Sequence, residues 1–359
     1  MLAYFYSTTV LIFVLSSFVP LLRKGAWWIR VFDFPRLQVF YINACLLAIG
    51  RFDRLTFGEG LQSLLDILLC TALVLDGYRI IPYFSWKKLF SKKEIITPHR
   101  ISVMSANVLI SNNNYQSLVS NVQKEEPDIF VAIETDEAWC EKLKPLEKIY
   151  QHRVYHPKDN TYGLLFYSKL SLSEAKIEFL VDNDVPSLFC ELTDRGFSFQ
   201  VIVLHPRPPR PQEGPSDQRD AELMHAAKFI RHAQKPTIVM GDLNDVAWSH
   251  STRLFLRISG LIDPRRGRGV FCTYPSMLPF LRFPLDHIFH SYDFALLNLR
   301  RLKTEGSDHF AIKADFSIRH GKKSLQPRDD AQEKEEARTM IARGKEWEGP
   351  DKNIPEESE

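Results

Sequence analysis

The feature that most constrains this chain is an apolar run that stops on two short polar side chains. Residues 237–240, Thr-Ile-Val-Met, are predicted to form a buried strand of a central sheet. Gly241 then allows a turn where a side chain would crowd the backbone, and Asp242 and Asn244 follow at the edge of the sheet. A carboxylate and a carboxamide at that point could hold a water molecule against a phosphate group. The same stretch is equally typical of a strand that ends in a Gly-Asp turn.

The pattern recurs through residues 100–317, which helps to separate the two interpretations. Other apolar runs end or begin at further polar residues, and one run contains an aspartate; these residues are Asn107, Glu134, His205, Asp286, Asp308 and His309. Each has an ordinary structural explanation, such as a solvated strand end, a loop residue or a buried acid with a partner. Together they are the groups that metal-assisted hydrolysis of a phosphoester needs.

The residues between these polar positions predict a mixed α/β domain. Short apolar runs such as 101–106 and 129–133 are typical of strands. Segments with apolar residues at helical spacing, such as 216–233, predict helices between them. Several strands follow one another closely enough to form antiparallel hairpins, which favours two sheets packed face to face with helices outside.

Residues 1–86 predict a membrane region. Residues 2–22 carry no charge and are numerous enough to cross a bilayer, and no basic start or small-residue cleavage site favours a signal peptide. Two further apolar runs, 37–50 and 61–82, bring the predicted number of transmembrane helices to about three, although two aspartates interrupt the last run.

Basic clusters after the first and third apolar runs orient this predicted region. With three spans both clusters fall on one side, which we expect to be cytoplasmic. If only the first run inserts, the following domain could lie on the other side, so the side stays open. A basic linker at 87–99 would connect the membrane region to the domain.

Charged residues are distributed unevenly along the chain. Residues 318–359 are rich in Lys, Glu and Asp and poor in large apolar residues, so we expect a charged, disordered tail. The formal net charge of +2 is too small to attract nucleic acid by bulk charge alone. No residue pattern identifies a protein partner.

The ordered motifs of the domain resemble those of the endonuclease/exonuclease/phosphatase superfamily, which includes DNase I-like nucleases, neutral sphingomyelinases and inositol polyphosphate 5-phosphatases. The motifs are Ser105-Ala106-Asn107, Ile133-Glu134, Tyr162-Gly163, Leu204-His205, Gly241-Asp242-Leu243-Asn244, Leu285-Asp286-His287-Ile288 and Gly306-Ser307-Asp308-His309. Their order and spacing match the family over about residues 100–317. The membrane region and the tail resemble those of membrane-attached bacterial members, which implies a multi-pass protein of the bacterial inner membrane.

The resemblance implies a four-layer α/β sandwich of the DNase I-like type, preceded here by the predicted membrane helices, with Mg²⁺ or Mn²⁺ at one end. Glu134 would be the principal metal ligand, because a hard cation prefers carboxylate oxygen. Asn107 would hold the metal's water or a phosphate oxygen, and Asp308 would lie close to the metal. Some nucleases of the family have an acid two positions after the first Asn, where this chain has Leu109, so we expect fewer metal contacts here.

The resemblance also implies catalytic roles for the remaining polar residues. Asp242 and Asn244 would position and activate the attacking water. His309, oriented by Asp286, would stabilise charge on the phosphate in the transition state, and His205 would protonate the leaving oxygen or bind phosphate. Which histidine is the general acid, and whether one or two metals bind, stay open.

The substrate is the least constrained part of the prediction. Arg207, Arg210 and Arg266 lie in predicted loops and could bind substrate phosphates at the rim of the site, but they could equally be solvated loop charges. Membrane attachment favours a phospholipid or phosphoinositide-like substrate over a nucleic-acid phosphoester, which stays open. We therefore predict a membrane-anchored, metal-dependent phosphoesterase, with a phosphodiesterase favoured. The alternative is a catalytically silent module that binds phospholipid or a protein.

Overall fold

The computed structural model describes residues 2–52, 59–85, 98–210, 215–319 and 330–346. The α-helices in this part of the chain are α1 (Leu2–Phe18), α2 (Trp27–Arg30), α3 (Arg36–Phe52), α4 (Glu59–Ile80), α5 (Tyr115–Glu125), α6 (Glu137–Leu143), α7 (Asp217–Ala233), α8 (His250–Ser259) and α9 (Ala331–Glu346). The strands are β1 (Arg100–Asn107), β2 (Ile129–Ile133), β3 (His152–His156), β4 (Leu164–Ser168), β5 (Ser171–Glu178), β6 (Ser187–Asp194), β7 (Phe197–Val203), β8 (Thr237–Asp242), β9 (Asp286–His290), β10 (Phe294–Lys303) and β11 (Phe310–Ile318). Short 3-10 helices lie at Val19–Leu22, Val31–Asp33, Ile81–Tyr83 and Lys144–Lys148.

Two mixed sheets pack face to face in the centre of the α/β domain. The strand order is β10-β11-β1-β2-β4-β3 in one sheet and β5-β6-β7-β8-β9 in the other. β1 pairs parallel with β2, and β7 pairs parallel with β8, whereas the other neighbours are antiparallel. Buried side chains from both sheets, among them Val131, Phe166, Phe199 and Met240, form one apolar cluster between them.

Helices cover the outer faces of both sheets. α5 and α6 pack on the six-stranded sheet through a buried cluster that includes Val119 and Trp139. α7, α8 and α9 pack on the five-stranded sheet through a cluster that includes Leu223, Phe255 and Met340. The sequence-based prediction of an α/β sandwich with two sheets and outer helices is therefore confirmed.

Local sequence explains where the helices near the strand ends begin and stop. α5 begins after Asn114, whose side chain accepts a hydrogen bond from the backbone N–H of Ser117. α8 begins after Ser249, which accepts from the N–H of Thr252 in the same way, and it ends at Gly260 with φ of 72°. Short polar side chains at the first position and a left-handed glycine at the end are the usual boundaries of a helix.

The N-terminal helices α1, α3 and α4 pack against one another through a small apolar cluster that includes Val10, Leu46 and Leu69. Within the described residues one helical stretch, Ala3–Leu22, is long and apolar enough to cross a membrane by length and composition. α3 has 17 residues, and α4 buries the carboxylate of Asp76 in an ion pair. The prediction of about three transmembrane helices is therefore wrong in number, and a multi-pass topology is not supported.

The inner end of this helical bundle is joined to the α/β domain by buried polar contacts. Arg30 lies in an ion pair with Asp220 of α7 at 2.6 Å. The indole N–H of Trp248 donates a hydrogen bond to the backbone carbonyl of Asp33 at 2.7 Å. Ile80 packs on the same surface of the domain. The predicted linker at 87–99 lies outside the described residues, apart from positions 98 and 99.

The predicted disordered tail contains a helix. Residues 331–346 form α9, which places Ala337 and Met340 in the apolar cluster of α7 and α8. His250 and Glu336 add a contact of 2.6 Å between α8 and α9. The prediction of disorder is wrong for this segment because a narrow stripe of small and flexible apolar residues is enough to dock a helix. The rest of the predicted tail beyond residue 319 lies outside the described residues.

Candidate active site

Strand ends from both sheets meet at one edge of the sandwich. Asn107 is the last residue of β1 and Glu134 directly follows β2, and these strands are parallel. Asp242 ends β8 and His205 lies just beyond its parallel neighbour β7. The side-chain amide of Asn107 donates to Oδ2 of Asp242 at 3.2 Å, so the two sheets contribute to one site.

Two antiparallel strands bring the remaining side chains to the same edge. Asp286 begins β9 and is the register partner of Asp242 on β8. His309 lies immediately before β11, with its Nδ1 2.7 Å from Oδ2 of Asp286. Its Nε2 faces Oδ2 of Asp242 at 3.7 Å. The aspartate behind the ring therefore fixes the orientation of the imidazole relative to Asp242.

Glu134 lies at the centre of the cluster and adopts an unusual backbone conformation. Its φ is 61°, in the left-handed region that costs a non-glycine residue about 1 kcal/mol or more. The strain is maintained by packing and by the amide of Asn107, which donates to Oε1 of Glu134 at 2.7 Å. His205 Nε2 lies 3.9 Å from the same oxygen. This turn directs the carboxylate into the site instead of along the strand.

The turn after β8 depends on a glycine. Gly241 has φ of 139°, and a Cβ at this position would lie 2.1 Å from the backbone carbonyl oxygen of Leu204. Asn244 follows with φ of 50° and donates its N–H to Oδ1 of Asp242 at 2.9 Å. The side-chain amide of Asn244 donates to the carbonyl of Pro206, also at 2.9 Å. These bonds fix both polar side chains next to the strand end.

Charge separates the two histidines of the site. Burial disfavours the imidazolium of His309, but Asp286, Asp242 and Asp308 outweigh it and raise the pKa of His309 to about 10. His205 is also buried, and burial together with the nearby charge of His309 lowers its pKa to about 4. His309 is therefore cationic at neutral pH, whereas His205 is neutral.

Glu134 lies among other carboxylates with few cations. Burial, together with the charges of Asp242 and Asp308, raises the pKa of Glu134 to about 7, although the hydrogen bond from Asn107 and the charge of His309 oppose the increase. Ligand atoms of Glu134, His205 and Asp242 all lie within 4.8 Å of one another. Because carboxylate oxygens dominate this group, the arrangement fits a hard divalent cation.

The side chain of Asn107 contacts two carboxylates of the site. Its Nδ2 faces Glu134 and Asp242, and its Oδ1 accepts a hydrogen bond from the backbone N–H of Leu109 at 3.1 Å. In this orientation Asn107 presents N–H groups, not oxygen, to the site. It therefore holds the carboxylates in position.

The other predicted site residues lie at different distances from the cluster. Asp308 is half-buried, and its charge acts on Glu134 although no ligand atom of Asp308 belongs to the group described above. Arg207 stacks over the ring of Tyr162 and pairs with an acid outside the cluster. Arg210 is exposed, and its charge contributes to the lowered pKa of His205.

Arg266 does not lie at the site. It lines a separate cavity beside Tyr78 and Arg253, at the junction with the helical bundle. The expectation that it binds substrate is therefore wrong, because a loop arginine cannot be assigned to a site without knowledge of how the loop folds back.

Several contacts at the site were not predicted from the sequence. Thr273 accepts the backbone N–H of Asp286 at 3.1 Å, and the ring of Tyr274 lies 4.8 Å from that of His309. Ser307 donates to the carbonyl of Asn107 at 2.8 Å, which connects β1 to the segment before β11. Ser307 belongs to a recognised motif, whereas Thr273 and Tyr274 lie in a loop with no sequence signal.

The chain matches the model of a known protein family. The model of the Endonuclease/Exonuclease/phosphatase family matches residues 104–309. No curated protein matches the chain.

Three solved structures of similar fold are from animals. TDP2 of D. rerio complexed with single-strand DNA product has 19% identity and a TM-score of 0.53, covering 61% of this chain and 99% of that one. Truncated TDP2 of Caenorhabditis elegans has 17% identity and a TM-score of 0.53, covering 62% and 100%. The human Nocturnin catalytic domain with bound sulfate has 18% identity and a TM-score of 0.51, covering 66% and 99%. At these identities the likeness concerns the fold.

Proposed function

Because the chain belongs to the Endonuclease/Exonuclease/phosphatase family, we propose that it is a divalent-metal-dependent phosphodiesterase that acts at a membrane surface. The observation that carries the proposal is the contact of His309 with Asp286 behind it and Asp242 in front of it. An imidazolium held in this way is a preorganised cation, and a free carboxylate beside it can accept a proton from water.

Asp242 is the proposed base. Its Oδ1 accepts the N–H of Asn244, which leaves Oδ2 directed toward His309 and Asn107. A water held by Oδ2 would lose its proton to the carboxylate as it attacks phosphorus. The cationic His309 would then donate a hydrogen bond to the phosphoryl oxygen on which negative charge develops.

His205 has a different proposed role because it is neutral. Its Nε2 lies toward Glu134, and its Nδ1 is buried without a hydrogen-bond partner among the described residues. A neutral imidazole can hold or relay a proton but adds no positive charge. We therefore assign charge stabilisation to His309, and we assign to His205 the positioning of a water molecule that gives a proton to the leaving oxygen and regains one from solvent.

Glu134 and Asp242 would hold the divalent cation, with Asp308 nearby and Asn107 positioning both carboxylates. When bound, such a cation polarises the phosphoryl group and neutralises charge that four carboxylates would otherwise concentrate at this edge. Mg²⁺ is the first choice because the oxygen donors are hard, and Mn²⁺ is the alternative.

Membrane attachment is supported by the surface of the helical bundle. Large apolar side chains are exposed along α1 and α4, among them Tyr4 at 80%, Phe5 at 70% and Val74 at 72%. Water does not favour such a surface, and a bilayer would cover it. With Ala3–Leu22 as the anchor, the inner end of the bundle would place the α/β domain against the membrane surface.

An apolar loop beside the active site supports a substrate in that membrane. Met277 and Phe280 are 84% and 88% exposed, and Leu278 and Leu281 are at least half exposed. The loop is next to the site, because Ser276 donates its backbone N–H to the carbonyl of Asp308. 

The same loop also contacts the bundle, since Gln38 of α3 donates to the carbonyl of Phe280 at 3.0 Å. We call the polar residues at the strand ends the strand-end cluster: Asn107, Glu134, His205, Asp242, Asn244, Asp286, Asp308 and His309. A lipid phosphodiester would therefore have an apolar surface for its chains and the strand-end cluster for its phosphate. We propose a phospholipid or phosphoinositide-like substrate on these grounds.

A nucleic-acid phosphodiester is the second candidate. The similar TDP2 structure from D. rerio is complexed with single-strand DNA product. In this chain Arg207 stacks on Tyr162, whose ring lies 5.5 Å from His205, and a base or ribose could pack on such a pair. The apolar loop favours the lipid over this candidate.

Hydrolysis assays with the full chain in mild detergent test the proposal. The substrates are bis(p-nitrophenyl) phosphate, mixed vesicles of phosphatidylcholine and phosphatidylinositol, and a single-stranded oligonucleotide. Each is measured with Mg²⁺, with Mn²⁺ and with excess chelator. We expect hydrolysis of the vesicle lipid and of the soluble diester that chelator abolishes and added metal restores.

The Asp242→Asn variant is the control for contaminating enzymes, because it keeps the shape of the site. Release of product by this variant at the wild-type rate would mean that the cluster does no chemistry. A folded wild-type chain that binds vesicles but hydrolyses none of the three substrates would favour the catalytically silent binding module.

A further inference from the structure

A second cavity lies between the C-terminal end of α4 and α8, where the helical bundle meets the α/β domain. Its volume is about 350 Å³, and four arginines line it together with two tyrosines: Arg79, Arg253, Arg257, Arg266, Tyr78 and Tyr83. We call this cavity the arginine pocket. None of its lining residues belongs to the strand-end cluster, so it is separate from the proposed active site.

The arginine pocket contains more positive than negative charge. Asp263 is the one acid in its lining, and both of its carboxylate oxygens already accept bonds from Arg265. Arg257 pairs with Glu333 of α9. Among the described residues no carboxylate forms an ion pair with Arg253 or Arg266. Within the part of the chain that the structure describes, at least two guanidinium groups therefore lack a counter-charge.

Arg79 is also incompletely paired, although its side chain is only 10% exposed. Its Nη1 lies 3.5 Å from Oδ1 of Asp33. The same carboxylate also pairs with Arg36 through Oδ1 and with Arg30 through Oδ2. The same Nη1 is buried and has no hydrogen-bond acceptor in the described part of the chain. A buried donor without an acceptor is destabilising, and an acceptor from a ligand would relieve it.

The cations in the pocket act on one another. Burial lowers the pKa of Arg253, and the charges of Arg257 and Arg266 lower it further, against the opposing influence of two tyrosines. Arg253 has the ring of Tyr78 as its aromatic neighbour, at 5.8 Å from guanidinium carbon to ring centroid. Like charges gathered in a cavity are unfavourable unless an anion shares the space.

The chemistry of the lining selects the anion. Guanidinium groups present paired N–H donors whose spacing matches the oxygens of phosphate, and several of them can bind one phosphate at once. A volume of about 350 Å³ holds a phosphate group with a small substituent. We propose that the arginine pocket binds a phosphate-bearing anion that is not the substrate of the strand-end cluster.

The position of the pocket bears on the source of that phosphate. Arg79 lies in the last turn of α4, at the end of the bundle nearest the α/β domain, and Tyr78 is 72% exposed. An anionic lipid could reach this level with its headgroup while its chains contact the apolar surface of the bundle. A soluble phosphate compound offers the same group without chains, so the test must separate the two sources.

Binding is measured on the full chain by thermal unfolding and by titration calorimetry. The probes are inorganic phosphate, nanodiscs of phosphatidylcholine alone, and nanodiscs that also contain phosphatidylglycerol. All measurements use the Asp242→Asn variant as background with excess chelator, so that metal-dependent phosphate binding at the strand ends does not contribute. We expect a higher unfolding temperature with phosphate, with phosphatidylglycerol, or with both.

Arg253→Gln is the test variant, and Arg338→Gln on the exposed side of α9 is its matched control. Loss of one charge-assisted pair predicts a dissociation constant roughly tenfold or more higher in Arg253→Gln, whereas Arg338→Gln should bind as the background does. Arg253→Lys keeps the charge without the paired donors, and we expect intermediate affinity. Because Arg253→Gln removes a like charge, it should fold without ligand at least as stably as the background.

The outcomes separate the sources and the proposal itself. Stabilisation by inorganic phosphate alone identifies a soluble phosphate compound, and stabilisation by phosphatidylglycerol alone identifies a lipid headgroup. Stabilisation by both probes shows that the pocket accepts the phosphate group from either source. Equal binding by Arg253→Gln and the background, or no stabilisation by either probe, would overturn the proposal. Neither result depends on hydrolysis, so failure here leaves the proposed phosphodiesterase activity untouched.

Discussion

The chain buries two groups of charged residues that differ in how the charges are matched. At the junction between the helical bundle and the α/β domain, arginines alternate with aspartates; we call Arg30, Asp33, Arg36, Asp76, Arg219 and Asp220 the junction network. Each of its carboxylates contacts at least one guanidinium group. At the strand ends, by contrast, Glu134, Asp242 and Asp308 face one another with His309 as the nearby cation.

The difference is clearest in the pKa of Asp220, because burial raises the pKa of Asp33 and of Asp76 in spite of their arginine partners. Burial alone would raise the pKa of Asp220, but Arg30 and Arg219 outweigh it and lower the pKa below its usual range. Burial also raises the pKa of Glu134, and there the neighbouring charges of Asp242 and Asp308 add to the increase. A buried carboxylate with a matched partner stabilises the fold, whereas one among other carboxylates is available to a ligand.

Mutation of the strand-end cluster should have the largest effect on activity. We expect Asp242→Asn and His309→Ala each to lower kcat/KM at least about a hundredfold, because they remove the proton acceptor and the preorganised cation. Combining them should cost much less than the sum of the two effects on a logarithmic scale, since the residues act as a unit. Steady-state kinetics on a soluble diester at saturating Mg²⁺ measures all three variants.

Stability distinguishes this result from misfolding. Removing Asp242 relieves repulsion among carboxylates, so Asp242→Asn should unfold in urea at the same or a higher concentration than the wild type. Glu134→Gln should weaken metal dependence instead, so that higher Mg²⁺ partly restores its rate. Full activity in Asp242→Asn, with folding confirmed by circular dichroism, would show that the chemistry occurs elsewhere.

Mutation of the junction network should have the opposite pattern. Arg36→Met leaves Asp33 and Asp76 without their shared guanidinium group, and we expect a loss of about 3 kcal/mol or more in the free energy of unfolding. The kcat of the folded fraction should stay within a few-fold of wild type, because Arg36 pairs with Asp33 and Asp76 and not with a residue of the strand-end cluster. Within the junction network, Arg219 is the residue that reaches the site, where it donates to the backbone carbonyl of Asn244 at 2.8 Å. Urea unfolding in detergent and kinetics on the same preparation measure both quantities.

Arg51→Met is the matched control on the same helix. Arg51 pairs with Asp66 at 2.9 Å, but its side chain is 69% exposed. Exposed ion pairs contribute about 1 kcal/mol or less, so this variant should be close to wild type. Equal destabilisation by Arg36→Met and Arg51→Met would mean that burial of the junction network contributes little.

The strand-end cluster could be predicted from sequence because its members follow local patterns. An apolar run marks each strand, and a polar residue at its end marks a position such as Glu134 or Asp242. The carboxyl ends of parallel strands then meet at one edge, as β1 with β2 and β7 with β8 do. Residue pattern and strand topology together place Glu134 and Asp242 beside Asn107, although they lie 27 and 135 positions from it in the sequence.

The junction network and the arginine pocket could not be predicted in this way. Arg30 and Asp220 are 190 positions apart, and neither follows a strand or a recognised motif. Arg266 was assigned to the wrong site for the same reason, because loop charge carries no information on which surface the loop meets. From the sequence alone, Asp66 and Asp76 are unfavourable in a membrane-spanning helix. In the structure Asp76 is buried against Arg36 and the hydroxyl of Ser17.

The C-terminal helix α9 packs on the domain through a narrow apolar stripe. We therefore expect its mutation to have a smaller effect on stability than mutation of the junction network. Met340 is 7% exposed and packs in the cluster of α7 and α8. Met340→Ala should lower the free energy of unfolding by about 2 kcal/mol, at the lower end for a buried methionine. Thr339→Ala on the exposed side of α9 should change it by less than about 0.5 kcal/mol. No difference between the two variants in urea would mean that α9 does not contribute to stability.

The last prediction concerns a buried carboxylate that belongs to neither group. Glu222 of α7 is 3% exposed and accepts a hydrogen bond from the hydroxyl of Ser187 at 2.8 Å. Burial, with a smaller contribution from the charge of Asp182, raises its pKa to about 8, although the hydrogen bond from Ser187 and the charge of Arg207 oppose the increase. A neutral partner therefore does not hold the carboxylate ionised, in contrast to the guanidinium groups around Asp220.

This intermediate case predicts a dependence of stability on pH. The folded pKa of Glu222 lies above the unfolded value of about 4.3, so its contribution is fully present below about pH 4.3 and is lost as pH rises through about 8. Glu222→Gln keeps a hydrogen-bonding group of the same shape without the charge, so it should gain stability relative to wild type between about pH 5 and about pH 8, with no further gain above that. Urea unfolding of both proteins across this range measures the difference, in which the titration of all other groups cancels. Parallel stability curves would show that Glu222 stays ionised in the folded chain, and that burial beside a hydroxyl is not enough to distinguish it from the matched carboxylates of the junction network.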